Sequence, residues 1–350
     1  MKTAIVLFNL GGPDAPESVR KFRLNLFSDP AILRAPFFIR FFLSRLIAAS
    51  GLKASEKNYA FIGGKSPLLE ITQRQAAALQ NRLAGIGAKC FIAMRYWHPF
   101  VAETIAELKA FAPDQILLMP LYPQFSTTTT GSSLTNWHEA AAKAGLVVPT
   151  TTLCCYHADP AYIKSIADLI RTAIAEARAK MPADAKLRLL FSAHSLPESI
   201  IKKGDPYQSQ IEATTAAVLA QLADPSLDHL ICYQSRATPV AWLTPSTIDA
   251  ITEAAAEKIA VLLIPIAFVS DHIETLVELD IEYAELAHEL GVPFFFRAAV
   301  PNADAGFIEA LASLATTALA QGPGLQSFKP GRACDASHAN CPWTTARNAA

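Results

Sequence analysis

The chain has 350 residues, 51% of them hydrophobic and 17% charged, with a formal net charge of −1. So much apolar material excludes a disordered chain, and a near-neutral charge with no Lys/Arg-dense run excludes a nucleic-acid partner. At about 100–200 residues per domain, the length predicts two domains.

The run from Thr3 to Leu10 is mostly apolar and leads straight into Gly11-Gly12-Pro13. No small-residue cleavage site follows, so it reads as a buried strand entering a loop rather than a signal peptide. β-rich runs occupy 4–9, 89–94, 115–120 and 147–153, then 187–192, 229–233, 258–265 and 293–297. Helical patterns lie between them at 69–83, 101–111, 162–180, 208–222 and 273–290. Apolar strands alternating with helices predict parallel sheets covered on both faces. The expected fold class is α/β, with two similar domains, each a four-stranded parallel sheet flanked by helices. The boundary is expected at Pro149, giving domains at 1–148 and 149–302. A helix at 303–320 is expected to pack back onto the first domain, and 321–350 reads as a tail of little periodicity. The longest strongly apolar run, 259–269, is shorter than the roughly 20 residues that span a bilayer. A soluble, cytoplasmic chain is expected, with any membrane contact peripheral.

Ligands of open α/β sheets bind beyond the carboxyl ends of the strands, and polar clusters stand at those ends here. They are Asn9 to Pro13, Arg95 to Pro99, Tyr122 to Gln124 and Ser126 to Ser133 in the first half. In the second they are Ser192 to Ser195, Gln234-Ser235-Arg236 and Ser270-Asp271-His272. Neither GxGxxG nor a Walker A motif is present, so a dinucleotide or nucleotide-phosphate site is not supported.

Each candidate carries a functional and a plainer reading. His194, after the apolar run 187–191, is a proton acceptor or metal ligand, or else a buried His bonded to backbone. On an α-helix Asp271, Glu274 and Glu278 share one face; the competing reading is a capping box and a solvated acidic face. Ser126 to Ser133 is an anion-binding helix start or an ordinary N-cap. The segment 32–49 carries Phe37, Phe38, Phe41, Phe42, Leu43, Leu46 and Ile47 among Arg34, Arg40 and Arg45. It is a buried helix, or a lip around an apolar ligand or against a membrane surface. Of six cysteines, Cys90 and Cys232 sit in apolar strand-like runs and read as core. Cys154, Cys155, Cys334 and Cys341 do not, and in a cytosolic chain they are no disulfide framework.

Taken together, in order, these clusters resemble the ferrochelatase family. The resemblance runs from about Thr3 to Pro301. It rests on Leu7-Phe8-Asn9-Leu10-Gly11-Gly12-Pro13, Gly63-Gly64-Lys65-Ser66-Pro67, Met94-Arg95-Tyr96-Trp97-His98-Pro99 and Tyr122-Pro123-Gln124-Phe125-Ser126. It continues through Phe191-Ser192-Ala193-His194-Ser195-Leu196-Pro197, Tyr233-Gln234-Ser235-Arg236, Trp242-Leu243-Thr244-Pro245 and Phe268 to Leu276. It implies two Rossmann-like domains with a porphyrin cleft between them, and insertion of Fe²⁺, a substrate, into protoporphyrin IX to give protohaem. It implies that His194 and Glu274 form the metal and proton-transfer site, with Asp271 and Glu278 behind them. Tyr59, Ser66, Arg95, Tyr96, Ser126, Trp242, Phe268 and His272 are the implied substrate-binding residues. A coproporphyrin III ferrochelatase, a cobalt or nickel chelatase and a non-catalytic haem or metal carrier are the alternatives. Some members hold a [2Fe–2S] cluster on tail cysteines plus an internal one. Cys334 and Cys341 would supply the tail ligands and Cys154 or Cys155 the internal one, with His338 a further candidate. Thr127 stands where the animal-type members have cysteine. A monomer or homodimer is expected.

Overall fold

The computed structural model describes residues 1–236 and 240–346. Its strands are β1 (Thr3–Asn9), β2 (Ala88–Met94), β3 (Gln115–Pro120), β4 (Thr150–Leu153), β5 (Leu187–His194), β6 (Asp228–Gln234), β7 (Ala260–Pro265), β8 (Phe295–Arg297) and β9 (Gly324–Gln326). They form two parallel sheets, ordered β2-β1-β3-β4-β9 and β6-β5-β7-β8. Every residue of β1 and β7 is buried, which is why 4–8 and 260–265 are continuously apolar instead of alternating.

The α-helices are α1 (Val19–Ser28), α2 (Phe37–Ser50), α3 (Leu52–Phe61), α4 (Leu68–Arg82), α5 (Val101–Phe111), α6 (Thr130–Ala144), α7 (Pro160–Lys180), α8 (Glu198–Ile201), α9 (Tyr207–Leu222), α10 (Thr247–Ala256), α11 (Tyr283–Glu289), α12 (Ala305–Gln321) and α13 (Pro342–Ala346). Asp159 caps α7 and Asp304 caps α12, each carboxylate accepting two backbone N–H groups of the first turn. α12 packs on α4, α7, β3 and β4. One core therefore runs from Ile5, Leu7 and Leu117 through Tyr162 and Phe307 to Leu189, Phe191 and Leu262. Each such side chain contributes about 1.5–3 kcal/mol by leaving water, and the shared core fixes the two rows of strand ends relative to each other.

Three expectations change. The first sheet has five strands, because the tail returns as β9 beside β4 (Thr151↔Gly324, Leu153↔Gln326). Three residues are too few to carry a period-2 signal. β4 pairs with β3 (Ile116↔Thr150, Leu118↔Thr152), so the chain leaves the first sheet after Leu153 rather than at 148/149. Within the expected helix 273–290, Glu274–Glu282 is a π-helix and only Tyr283–Glu289 is α-helical. Wider π turns concentrate at functional sites.

Candidate active site

His194 is the last residue of β5 and the one residue of that strand that is not fully buried. Its imidazole, with 39% of the side chain exposed, meets Glu274 from the first turn of the π-helix at 3.0 Å (Nδ1 to Oε2). The Tyr207 hydroxyl, from the start of α9, donates to the His194 carbonyl at 3.1 Å. Gln234 Nε2 and Ser235 Oγ each stand 3.3 Å from the same Glu274 oxygen. Glu278, one turn on, accepts from Ser235 N at 3.0 Å, from the Tyr283 hydroxyl at 2.8 Å and from Ser235 Oγ. His272 is buried against Phe268, ring centroids 4.5 Å apart, and Nε2 lies 3.8 Å from Glu274 Oε1. Neither of its ring nitrogens has a hydrogen-bond partner.

The electrostatics follow from this crowding. Burial works to raise the Glu274 carboxyl, but the charge and hydrogen bond of His194, with His272 and Ser235, hold it at about 2. Burial pulls His194 down, and Glu274 with Glu278 outweighs it, so the imidazole is more basic than usual. Burial, and then the Glu274 charge, push Glu278 up. Burial leaves His272 less basic than an ordinary His. Tyr59, from α3 of the first domain, is buried, and desolvation followed by the Glu274 charge raises its phenol. A His more basic than usual beside an ionised carboxylate, next to a neutral His with free ring nitrogens, is a site that takes up protons and offers N and O ligands to a cation.

The ferrochelatase family model matches residues 2–319. A ferrochelatase of Caulobacter vibrioides is 50% identical over 345 residues, covering 97% of both chains. One of Phenylobacterium zucineum is 49% identical over 345 residues, covering 97% of this chain and 98% of its own. The chain belongs to the ferrochelatase family. Among solved structures, SirB from Bacillus subtilis with Fe3+ overlays with a TM-score of 0.53 at 12% identity, covering 92% of this chain and 97% of that one. That likeness concerns the fold: two parallel α/β sheets with a cleft between them. Membership makes the chain an enzyme of iron and porphyrin, with Fe²⁺ as a substrate.

Not every residue expected from the family lies with the His194–Glu274 pair. Asp271 precedes the π-helix and is held by Asn302 Nδ2 (2.7 Å), Thr275 Oγ1 (2.9 Å) and Arg297 Nη1 (3.4 Å). It neither caps the helix nor shares a stripe with the two glutamates, because that stripe assumed α geometry. Arg95 is paired with Asp29 at 2.8 Å, and Asp29 also accepts from the Tyr96 and Ser132 hydroxyls. Ser66 is buried; its N–H donates to Pro13 O at 2.8 Å, and a Cβ on Gly12 would fall 2.5 Å from its side chain. Glycine at 12 is what lets these two loops touch. Trp242 is half-buried and bridges to Pro197, and Phe268 is half-buried under His272. Ser126 is buried. The loop it starts does bind an anion, and the anion is the chain's own Asp205, which accepts from Thr127 N (2.8 Å), Thr127 Oγ1 (2.7 Å) and Ser126 Oγ (3.1 Å). Gln234, Ser235, Tyr207, Tyr283 and Asp205 carry no assignment from sequence; position at a strand end was the one signal, and only for the first two.

The 32–49 segment is not a buried helix. In α2 only Ser44 and Ala48 are buried, while Phe38 is 77% and Phe42 71% exposed, with Phe37, Ile39 and Leu46 also outward. Arg45 lies over the Phe41 ring, 3.5 Å from its centroid.

The four cysteines outside the strands converge. Cys154 and Cys155, directly after β4, have their sulfurs 3.3 Å apart. Gln210 Nε2 donates to Cys334 at 3.0 Å, and this with the neighbouring Cys155 and Cys341 thiols holds the Cys334 thiol well below the usual range. Phe125, Leu325, Ala333 and Trp343 surround them. His338 turns instead to Ser209 at 2.9 Å. Among the described residues no group of three or more His, Cys, Asp or Glu is arranged to hold a metal ion as it stands. Of the two cysteines read as core, Cys232 is fully buried, whereas Cys90 is half-buried on edge strand β2.

Proposed function

We propose that the cleft inserts Fe²⁺ into protoporphyrin IX, with His194 as proton acceptor and metal ligand and Glu274 as its acidic partner. The observation that carries this is the His194–Glu274 pair at 3.0 Å beside the two unpartnered nitrogens of buried His272. Metallation releases two pyrrole protons as the porphyrin becomes a dianion around iron. A neutral His194 takes one, and the carboxylate beside it stabilises the imidazolium that results. Glu278, pushed up by burial and by Glu274, is the next acceptor along the π-helix. Glu274 and His194 offer the oxygen and nitrogen donors that displace water from Fe²⁺. Tyr59 and Phe268 supply apolar walls; Arg95, Tyr96, Ser66 and Trp242 line the loops that carry the rest of the cleft, while Asp271 steadies the entry to the π-helix.

The exposed aromatic face of α2 supports a peripheral seat on a membrane surface and a preference for the more apolar porphyrin. The convergence of Cys154, Cys155, Cys334 and Cys341 supports a second assignment, a [2Fe–2S] cluster. Such a cluster takes four ligands over two irons, and the two segments together offer four thiols. It would tie the tail to the end of β4.

Purified protein, assayed without oxygen with Fe²⁺ and either protoporphyrin IX or coproporphyrin III, tests the main reading. Faster haem formation from protoporphyrin is expected. Porphyrin binding without metallation would leave a carrier, and faster use of coproporphyrin would reverse the substrate.

A further inference from the structure

The two acidic side chains of the site are four residues apart on one helix and close enough to share donors. Like charges so placed repel, and something must hold them together. Two residues touch both carboxylates among the described residues: Gln234 Nε2, 3.3 Å from Glu274 Oε2 and 3.4 Å from Glu278 Oε2, and Ser235 Oγ, 3.3 Å from Glu274 Oε2 and bonded to Glu278 Oε2.

Ser235 is also unusual in its backbone. It has φ of 63°, in the left-handed region that residues other than glycine rarely adopt. That conformation, straight after β6 ends at Gln234, turns both its N–H and its hydroxyl onto Glu278: the N–H reaches Oε1 at 3.0 Å and the hydroxyl reaches Oε2. A glycine would adopt the same φ at no steric cost, so the structure holds a side chain where the backbone alone does not want one. Such outliers persist where the surroundings over-determine them.

We propose that Ser235 is a positioning residue for metal insertion, whose hydroxyl holds Glu278 beside Glu274 and keeps Glu274 aimed at His194. This rests on the role given above to the His194–Glu274 pair. Gln234 does the same from the amide side, and Tyr283 fixes the far oxygen of Glu278 at 2.8 Å. The groups facing the pair are His194, His272, Tyr59 and Tyr207 around Glu274, with Tyr283 and His194 around Glu278. None of these contacts both carboxylates, so none replaces the serine.

Ser235→Gly is the test, because it removes the CH2OH side chain that carries the hydroxyl while glycine accommodates the φ of 63° and retains the N–H that bonds Glu278. The expected result is a kcat about tenfold lower, with porphyrin KM within about twofold and unchanged folded fraction. Combined with Glu278→Gln, it should be no slower than the worse single variant, since both act through one side chain. Tyr283→Phe should give a smaller loss of the same kind, and it carries the test if Ser235→Gly does not fold. Wild-type kcat in Ser235→Gly, or losses that multiply in the double variant, would overturn the proposal. A wild-type chain that binds porphyrin but never inserts iron would instead sink the functional reading itself.

Discussion

Two clusters stand at the carboxyl ends of strands in this molecule, and they are built on opposite principles. At β5 and β6 unlike groups meet: a basic imidazole, an ionised carboxylate and a carboxyl pushed towards neutrality. Beyond β4 like groups meet: four thiols in an apolar shell of Phe125, Leu325, Ala333 and Trp343. In the first the residues shift one another in opposite directions, which sets a proton acceptor beside a charge that stabilises its protonated form. In the second a single thiol, Cys334, is stabilised as thiolate while its neighbours Cys155 and Cys341 are raised. The first arrangement is suited to chemistry and the second to holding chain segments together. α9 touches both, through Tyr207 on His194 and Gln210 on Cys334.

The comparison breaks most directly at His194. His194→Ala should lower metallation by about 10²–10⁴-fold while porphyrin still binds; near-normal turnover would remove this histidine from the chemistry. Next comes Glu274→Gln, expected to cut turnover by about 10²-fold with little change in Tm. A lost helix cap would cost about 1 kcal/mol, and Glu274 makes no cap here. The pH profile gives the sign. Glu274 raises His194 above 6.5, and only neutral imidazole accepts a proton, so the acid limb of kcat lies above 6.5. Without the carboxylate that limb should move to lower pH; an unmoved limb would assign it to another group.

The thiol cluster should respond in stability. Protein purified without oxygen from iron-replete cells should be coloured and carry about two irons and two sulfides per chain. Cys334→Ser should lose the colour and melt earlier, with kcat per folded molecule within a few-fold of wild type. Colourless, iron-free and fully active protein would leave the thiols as packing. The smallest catalytic effect belongs to α2, which touches neither cluster. Phe37, Phe41 and Leu46 replaced together by Ser should abolish liposome association and leave kcat in detergent unchanged. Retained association would make that face an ordinary exposed helix.

Much of this was legible because it is local. β1, β3 and α5 follow from apolar runs and 3.6-residue periodicity in contiguous segments, and α5 spans Val101–Phe111 as the pattern has it. His194 stood out because a polar residue ends an apolar strand, and Glu274 because its motif is contiguous. The partners of those residues were not local. Asp205 fills the anion site of the Ser/Thr loop from 78 residues away, and Asp29 occupies Arg95 and Tyr96 from across the first domain.

The sequence by itself determined the strands β1 to β8 and the helices α4, α5, α7, α9 and α12, and pointed to the polar strand ends as the place of function. Those choices are made by burial periodicity and by short-range backbone geometry. The tertiary structure alone decided that Glu274–Glu282 winds as a π-helix, that the tail adds β9, that the α2 phenylalanines face outward, and that Ser235 clamps two carboxylates. Each depends on which distant groups come within hydrogen-bonding or van der Waals reach, a property of the packed chain that no window along it contains.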